Sequence, residues 1–409
     1  MRLRLALLGG GLLLAAAGIM LLLSRPRQAD AGDPIVIGQL QALGGPMQAS
    51  EAPLVAAARL AVEEINAAGG LLGRRVELRL EDTRSDAGVA AAAAEKLIGR
   101  EHAVALFGCW TSTCRDAVRP VVERHRHLLF YPLSYEGMER SPAIVYTGAT
   151  PNQQVLPATD WALQGFGRRV YLLGTDGPRA RRLHVVLRDF ITLGGGRVLG
   201  ERLVPRGSAA LGSAVADIAR LRPDFVLSTL DGSSNAAFFD ALVGAALTDQ
   251  PLLSFGLGEA EMAAYGGGRL DRHFSAWSYL QSLPGPDNAA FLAGLRRTQG
   301  QAVRTSDPAV SVYIAVQLWA AAVREVGSVQ PDAVNAAVLQ QSVAAPQGFA
   351  AIDAQTRHLW RALHIAQVRP DGHLDEVHAL PRDIKPSPWP VFRTVEQWDA
   401  LLARAGEGR

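Results

Sequence analysis

Cysteine is nearly missing from this sequence, and so are the residue clusters that carry catalysis. Only Cys109 and Cys114 occur among 409 residues, which excludes a fold built on a disulfide framework. They flank a tight loop between a strand and a helix, where a bridge needs a Cα separation that such a turn strains to supply. Two free thiols are therefore expected, with Cys109 as a small apolar plug. There is no His-Glu-x-x-His, Cys-x-x-Cys, Gly-x-Ser-x-Gly or Gly-x-x-x-x-Gly-Lys pattern. The nine histidines are dispersed, and no base is identifiable beside either thiol. No catalytic residue, metal or cofactor is expected. Charge of one sign is lacking too: the formal net charge is +2, with no basic stripe interleaved with aromatics, and this removes the electrostatic case for nucleic acid.

What is present describes a packed, exported protein. Hydrophobic residues make up 48% and charged residues 20%, and the length is too great for one ordinary core, so two domains are expected. Met1-Arg2-Leu3-Arg4 is a short cationic start to an apolar run from Leu5 to Leu23. This reads as a secretory signal or an uncleaved anchor, with Ala29-Asp30-Ala31 as a small-x-small cleavage site. Beyond it, apolar runs at 35–38, 76–80 and 104–107 alternate with helical periodicity over 54–68 and 87–99, and residues 42–53 read as a loop. The pattern restarts after residue 150, with strands at 170–174, 198–203, 225–229 and 252–255 and helices at 179–193, 209–220 and 235–246. Two α/β units in series, each with its own parallel sheet, are the expected fold. Residues 381–398, rich in Pro and Trp, are expected to wrap the surface.

The stretch 107–154 organises the rest. Strands ending near Phe107-Gly108 and at Tyr131 deliver Trp110, Ser112 and Tyr131 to one sheet edge, and ligands of open α/β sheets bind outside such edges. Trp110 offers an indole, Ser112 a hydroxyl beside unpaired helix N–H groups, and Tyr131 a flat ring with a polar tip. In the second unit Asp176, Asp231 with Ser233, and Glu259 each follow a predicted strand. Asp231 and Glu259 are carboxylates suited to accepting N–H bonds from a neutral amide. Each has a local alternative: Trp110 as core filler, Asp176 as a turn residue, Ser233 as a helix cap.

Several stretches carry a resemblance: Ala61-Val62-Glu63-Glu64-Ile65-Asn66-Ala67-Ala68-Gly69-Gly70, Phe107-Gly108-Cys109-Trp110-Thr111-Ser112, Phe130-Tyr131-Pro132 with Tyr135-Glu136-Gly137, and Tyr146-Thr147-Gly148 through Pro151-Asn152-Gln153-Gln154. Ala276-Trp277-Ser278-Tyr279, Asp307-Pro308 and His358-Leu359-Trp360 follow in the same order. In these the chain resembles the type I periplasmic binding proteins, and among them the urea and short-chain-amide branch of ABC-transporter substrate-binding proteins. The resemblance implies two Rossmann-like lobes joined by three hinge strands near residues 150, 275 and 345. Lobe 1 would comprise 32–150 and 276–345, lobe 2 151–275 and 346–380, with 1–31 as the export segment and 381–409 as a tail. It further implies a periplasmic receptor that delivers urea or an amide to an inner-membrane permease, touching the membrane itself only through residues 5–23 if these stay attached. A sensor of the same fold, or a receptor for a branched-chain amino acid or another small polar or anionic solute, are the alternatives. One departure stands out. Thr175-Asp176-Gly177-Pro178-Arg179 lacks the two aromatics usual in the family, which implies a wider pocket or one that takes an anionic group through Arg179, Arg181 and Arg182.

Overall fold

A computed structural model describes residues 32–405; the export segment expected over 1–31 lies outside the described residues. The first run of elements is β1 (Ile35–Gln41), α1 (Gln48–Ala67), β2 (Val76–Asp82), α2 (Ala87–Gly99), β3 (Leu106–Gly108), α3 (Ser112–Arg124), β4 (Leu129–Tyr131) and β5 (Ile144–Tyr146). The second is α4 (Val155–Gly165), β6 (Arg169–Thr175), α5 (Pro178–Leu193), β7 (Arg197–Val204), α6 (Gly212–Leu221), β8 (Phe225–Thr229), α7 (Ser234–Gly244), β9 (Leu252–Ser254), α8 (Glu259–Tyr265) and β10 (His273–Trp277). The chain then adds α9 (Pro286–Gln299), α10 (Asp307–Val326), α11 (Pro331–Ala337), β11 (Ser342–Ala345), β12 (Gly348–Asp353) and β13 (His358–Leu359). It ends with β14 (His364–Val368), β15 (Leu374–Ala379) and α12 (Val395–Arg404).

The expected α/β architecture with two lobes is present. One sheet has the order β11-β12-β13-β5-β4-β3-β1-β2 and the other β15-β14-β10-β9-β8-β6-β7. Both contain the same parallel core, in which the second strand lies outside the first and the third, fourth and fifth follow on the other side. The connections therefore reverse direction beside β1 in one sheet and beside β6 in the other, and a crevice opens at such a switch point. Register levels the strand tips there: Leu40 lies opposite Gly108, and Gly174 opposite Thr229. Near-continuous burial of β3, β4, β8 and β9 is what a parallel sheet covered on both faces requires. The apolar helix α10 is long enough to cross a membrane, but its buried residues pack into the first lobe against α1.

Two boundaries differ from expectation. Helix α1 starts at Gln48, not near residue 54, after a 3₁₀ turn over Gly45–Met47. Pro53 reads as a helix start, yet it sits inside the helix, where its missing N–H costs one bond. The two turns gained carry Ser50 and Glu51, both buried. The third passage between lobes also moves. Strands β11 to β13 belong to the first sheet, so the chain returns to the second between Leu359 and His364 and not near residue 345.

Arg361 occupies that passage and ties it to the other two. Its Nε donates to Ser278 Oγ at 2.8 Å, its Nη1 to the Thr147 carbonyl and to Ser311 Oγ (2.8 Å), and its Nη2 to Asp307. Arg361 is wholly buried. The tail then crosses the same region. Asn152 donates to the Lys385 carbonyl, Gln153 to that of Ile384, and Met138 N–H to that of Pro388. Helix α12 packs Trp398 and Leu402 onto Val186 of α5.

Candidate functional site

The two switch points face each other across the lobe boundary. From the first sheet come Gln41, the last residue of β1, and the loop after β3. From the second come Thr175, the last residue of β6, and Asp231 beyond β8. The β3 loop is shaped by two positive φ angles, 122° at Gly108 and 55° at Cys109. At Gly108 a Cβ would stand 2.3 Å from the Leu40 carbonyl oxygen, so only glycine lets the β1 and β3 tips lie this close. Thr111 caps α3 by accepting the Cys114 N–H at 3.1 Å. Cys109 and Cys114 are bridged, contrary to the free thiols expected. The left-handed turn at Cys109 and the helix start bring their Cα atoms to 5.6 Å, inside the range a disulfide spans.

The lobes are in contact along both rims. Ser233 N–H donates to the Pro46 carbonyl at 2.9 Å. Gly232 approaches so closely that a Cβ there would meet the same oxygen at 2.4 Å. On the other rim, Arg179 of α5 is buried and reaches into the first lobe, with Nε to the Ser134 carbonyl at 3.2 Å and Nη2 to Ser134 Oγ at 3.3 Å. Arg182 Nη1 donates to Glu136 at 3.1 Å. Between the rims Thr111, Ser112, Thr175, Arg206 and Asp231 line a cavity of about 10 Å³, room for about one water. Where the sequence implied a wider pocket or one that takes an anionic group, the cavity is narrow: Arg179 lines it and reaches across the gap to Ser134, and Arg182 pairs with Glu136. Larger hollows of about 410 and 460 Å³ lie elsewhere, one under the tail beside Trp389 and one along α5 beside Glu201.

Two residues lining the cavity carry buried polar atoms without a hydrogen-bond partner among the described residues, the donor Arg179 Nη1 and the acceptor Asp231 Oδ1. Trp110 Nε1, both side-chain amide atoms of Gln41 and Glu261 Oε1 are also buried without one. Asp231 N–H donates to Thr175 Oγ1 at 2.8 Å, and its Oδ1 lies 3.6 Å from Arg179 Nη1. Glu51 enters from the first lobe. Burial raises its carboxyl to about 8, against the Ala42 N–H it accepts at 2.6 Å and against the cation of Arg206. Glu261 enters from the second. Burial raises it to about 7, against its own N–H and that of Gly258, which it accepts at 2.9 Å. The negative charge of Asp231 pushes both further up.

Of the seven residues proposed from sequence, Ser112 and Asp231 line this cavity, and Trp110 leaves its indole N–H unpaired in the same loop. The Ser112 hydroxyl itself is engaged, donating to Glu136 at 2.7 Å and accepting from Arg115. Tyr131 is turned into the first lobe. Its hydroxyl donates to the Trp110 carbonyl at 3.0 Å, and its ring lies under the Arg115 guanidinium. Ser233 forms the rim. Asp176 stands apart at the surface, paired with Arg181 at 2.7 Å. Glu259, the first residue of α8, accepts the Leu374 N–H at 3.1 Å on the far side of that helix. Gln41, Glu51 and Glu261 went unseen in the sequence. Glu261 sits three residues after Gly258 and accepts its N–H, but with glycine at the cap only this half of a capping box exists, so the sequence carried no full signal for it.

Two kinds of comparison place this architecture. The model of the periplasmic binding protein domain matches residues 35–395. A Rhodopseudomonas palustris solute-binding protein solved with 4-hydroxybenzoate superposes with a TM-score of 0.78 at 22% identity, over 87% of this chain and 99% of that one. The branched-chain amino acid binding protein LivJ of Streptococcus pneumoniae, solved with isoleucine, gives 0.76 at 18% identity over 87% and 100%. A limonene hydroxylase of Geobacillus stearothermophilus is 28% identical over 141 residues, 33% of this chain and only 26% of that relative's length. With nearly all of the described residues inside the matched region and the two-lobed type I architecture in place, the chain belongs to the periplasmic binding protein domain family.

Proposed function

We propose that the protein is the periplasmic solute receptor of an ATP-driven importer, which holds urea or a short-chain amide between its lobes and presents it to a membrane permease. The observation that carries the ligand class is that Asp231 Oδ1 and Arg179 Nη1, on the lining of the interlobe cavity, lack hydrogen-bond partners, with the unpaired Trp110 indole N–H in the loop that supplies Ser112. The cavity has room for about one water here, so the lobes part slightly to admit an amide. An amide brings a carbonyl for Trp110 Nε1 and N–H groups for Asp231 Oδ1 and Gln41 Oε1. A site that pairs every polar group rejects analogues that leave some unpaired. Because contacts come from both lobes, a ligand here stabilises the closed arrangement by its differential affinity for it. Membrane contact of the receptor itself is confined to residues 5–23, if these are retained.

A carboxylate ligand, as in the benzoate- and isoleucine-bound neighbours, is the second reading. The start of α3 and Arg206 favour it; the carboxylate of Asp231 on the cavity lining opposes it. Thermal-shift titration with urea, formamide, acetamide, leucine, benzoate and short dicarboxylates decides between them. At a hundredfold excess over Kd a true ligand adds about 2.7 kcal/mol of stability. Stabilisation by acetamide or urea alone is expected. Stabilisation by leucine or benzoate alone would overturn the amide reading.

A further inference from the structure

The hollow of about 410 Å³ under the tail is walled by both lobes, and its size is that of a small-molecule site. Asp116 and Arg119 of α3 and the segment 137–140 come from the first lobe, Arg182 of α5 from the second, and Trp389 and Leu402 from the tail. Two left-handed residues shape its edge, Gly137 at a φ of 72° and Met138 at 58°. The Met138 N–H donates to the Pro388 carbonyl at 2.8 Å. A Cβ on Gly137 would stand 2.1 Å from the same oxygen, so glycine lets the tail come this close. The hollow shares no lining residue with the interlobe cavity, yet only one carboxylate stands between them. Glu136 accepts Ser112 Oγ at 2.7 Å on the cavity side and Arg182 Nη1 at 3.1 Å on the other.

The lining is amphipathic. Met138, Leu402 and Trp389 belong to an apolar cluster that also holds Val186 and Trp398. Beside them stand three guanidinium groups, of Arg119, Arg140 and Arg182, and two carboxyl groups, of Asp116 and Glu139. Arg119 Nη1 pairs with Glu139 at 3.0 Å, and Arg182 Nη1 lies 3.6 Å from Asp116. Behind them the buried Arg115 and Glu136 add one charge of each sign, 2.9 Å apart. Arg140 is exposed and pairs with no carboxylate among the described residues. Glu123, which accepts the neighbouring Ser141 hydroxyl at 2.7 Å, forms no ion pair with it. An occupant that completes this lining brings one negative charge for the spare guanidinium and an apolar body for the indole and thioether. We propose that the hollow is a second binding site, for a small monoanion with a carboxylate head and an aromatic body, the head held by Arg140 beside Arg119 and the ring laid against Trp389 and Met138. Because the walls come from both lobes, such an occupant favours the closed arrangement and tightens the cleft on its own ligand, and the effect is mutual. The site stands independently of the amide reading above; only the choice of acetamide as cleft ligand in the test below rests on it.

Calorimetric titration of phenylacetate into the full chain tests the site, with 2-phenylethanol as the ring without the charge and acetate as the head without the ring. Phenylacetate is expected to bind about tenfold tighter than either control, as a charge-assisted contact implies. Arg140→Gln should weaken it about tenfold and melt like the wild type, since Arg140 is exposed and holds no ion-pair partner. No binding of phenylacetate, binding no tighter than that of 2-phenylethanol, or equal binding to Arg140→Gln would each overturn the proposal. Repeating the titration in saturating acetamide separates the two cavities. Phenylacetate should then bind about fivefold tighter. Displacement by acetamide would put phenylacetate in the interlobe cleft and overturn the second site; an unchanged affinity would overturn the coupling. If acetamide itself does not bind, the amide reading falls alone, and the second site is decided by Arg140→Gln.

Discussion

At the residue scale, Trp110 is both core and site. Its ring is buried with the first-lobe core while its N–H has no partner among the described residues. Trp110→Ala would confound the two roles, since emptying so large a volume costs about 3–5 kcal/mol of stability. Trp110→Phe separates them. It keeps most of the packing and removes the donor, so melting should shift little while amide affinity falls by about 1 kcal/mol; unchanged affinity in a calorimetric titration takes the indole out of the site. The residue scale is also where sequence reading reached least far. Strand tips are legible from apolar runs, and Ser112 and Asp231 do line one cavity, with Trp110 in the same loop as Ser112. Which side of a short helix faces the cleft is not legible, because a shift of two positions along α8 turns Glu259 away and Glu261 inward. Tyr131 was misplaced for a related reason, as the residue at a strand tip points to either face and here the Arg115 guanidinium holds its ring inside.

At the scale of single elements, the β3–α3 connection shows why composition misled. Two cysteines five residues apart read as too tight to bridge, yet the left-handed turn at Cys109 supplies the geometry, and the periplasm proposed for this receptor is a compartment that keeps such a bond formed. Closing so small a loop contributes about 2 kcal/mol in the chain-entropy account. Urea or guanidinium unfolding with and without reductant should show a loss of that order for the wild type, and none for the Cys109→Ala/Cys114→Ala variant. The same loop carries Trp110 and the Thr111 cap, so reduction should weaken ligand binding more than it weakens the distant second lobe. Helix α1 was legible in its body, where Leu54, Ala58, Ala61 and Ile65 are buried at helical spacing. Its first two turns were not, because Pro53 carries a start signal that tertiary packing of Ser50 and Glu51 overrides.

At the scale of the whole molecule, the two α/β units were legible from the alternation of periodicities, whereas the last passage between lobes was not. Short strands such as β13, with two residues, leave almost no periodic trace, and their sheet membership depends on partners far away in sequence. The joint itself depends on Arg361. Removing a buried guanidinium strands Asp307, and breaking such a pair typically costs 3–5 kcal/mol. Arg361→Met should lower stability by about that amount. The double variant Arg361→Met/Asp307→Leu should recover a large part of it by denaturant titration, since it leaves no unpaired charge. Equal losses in the single and double variants would show that the bonds to Thr147, Ser278 and Ser311 carry the stabilisation.

The tail gives the joint a further property. Residues 384–388 are bonded to the first passage and to Met138, and the helix that follows rests its indole on α5, the same helix whose first turn sends Arg179 and Arg182 into the opposite lobe. The moving jaw is thus gripped at two points along one rod, at its first turn by guanidinium groups and at its middle by a belt of tryptophan. Parting the jaws must either slip that belt past Met138 or carry it along, so a chain shortened before the belt would gape more freely and hold its cargo less long.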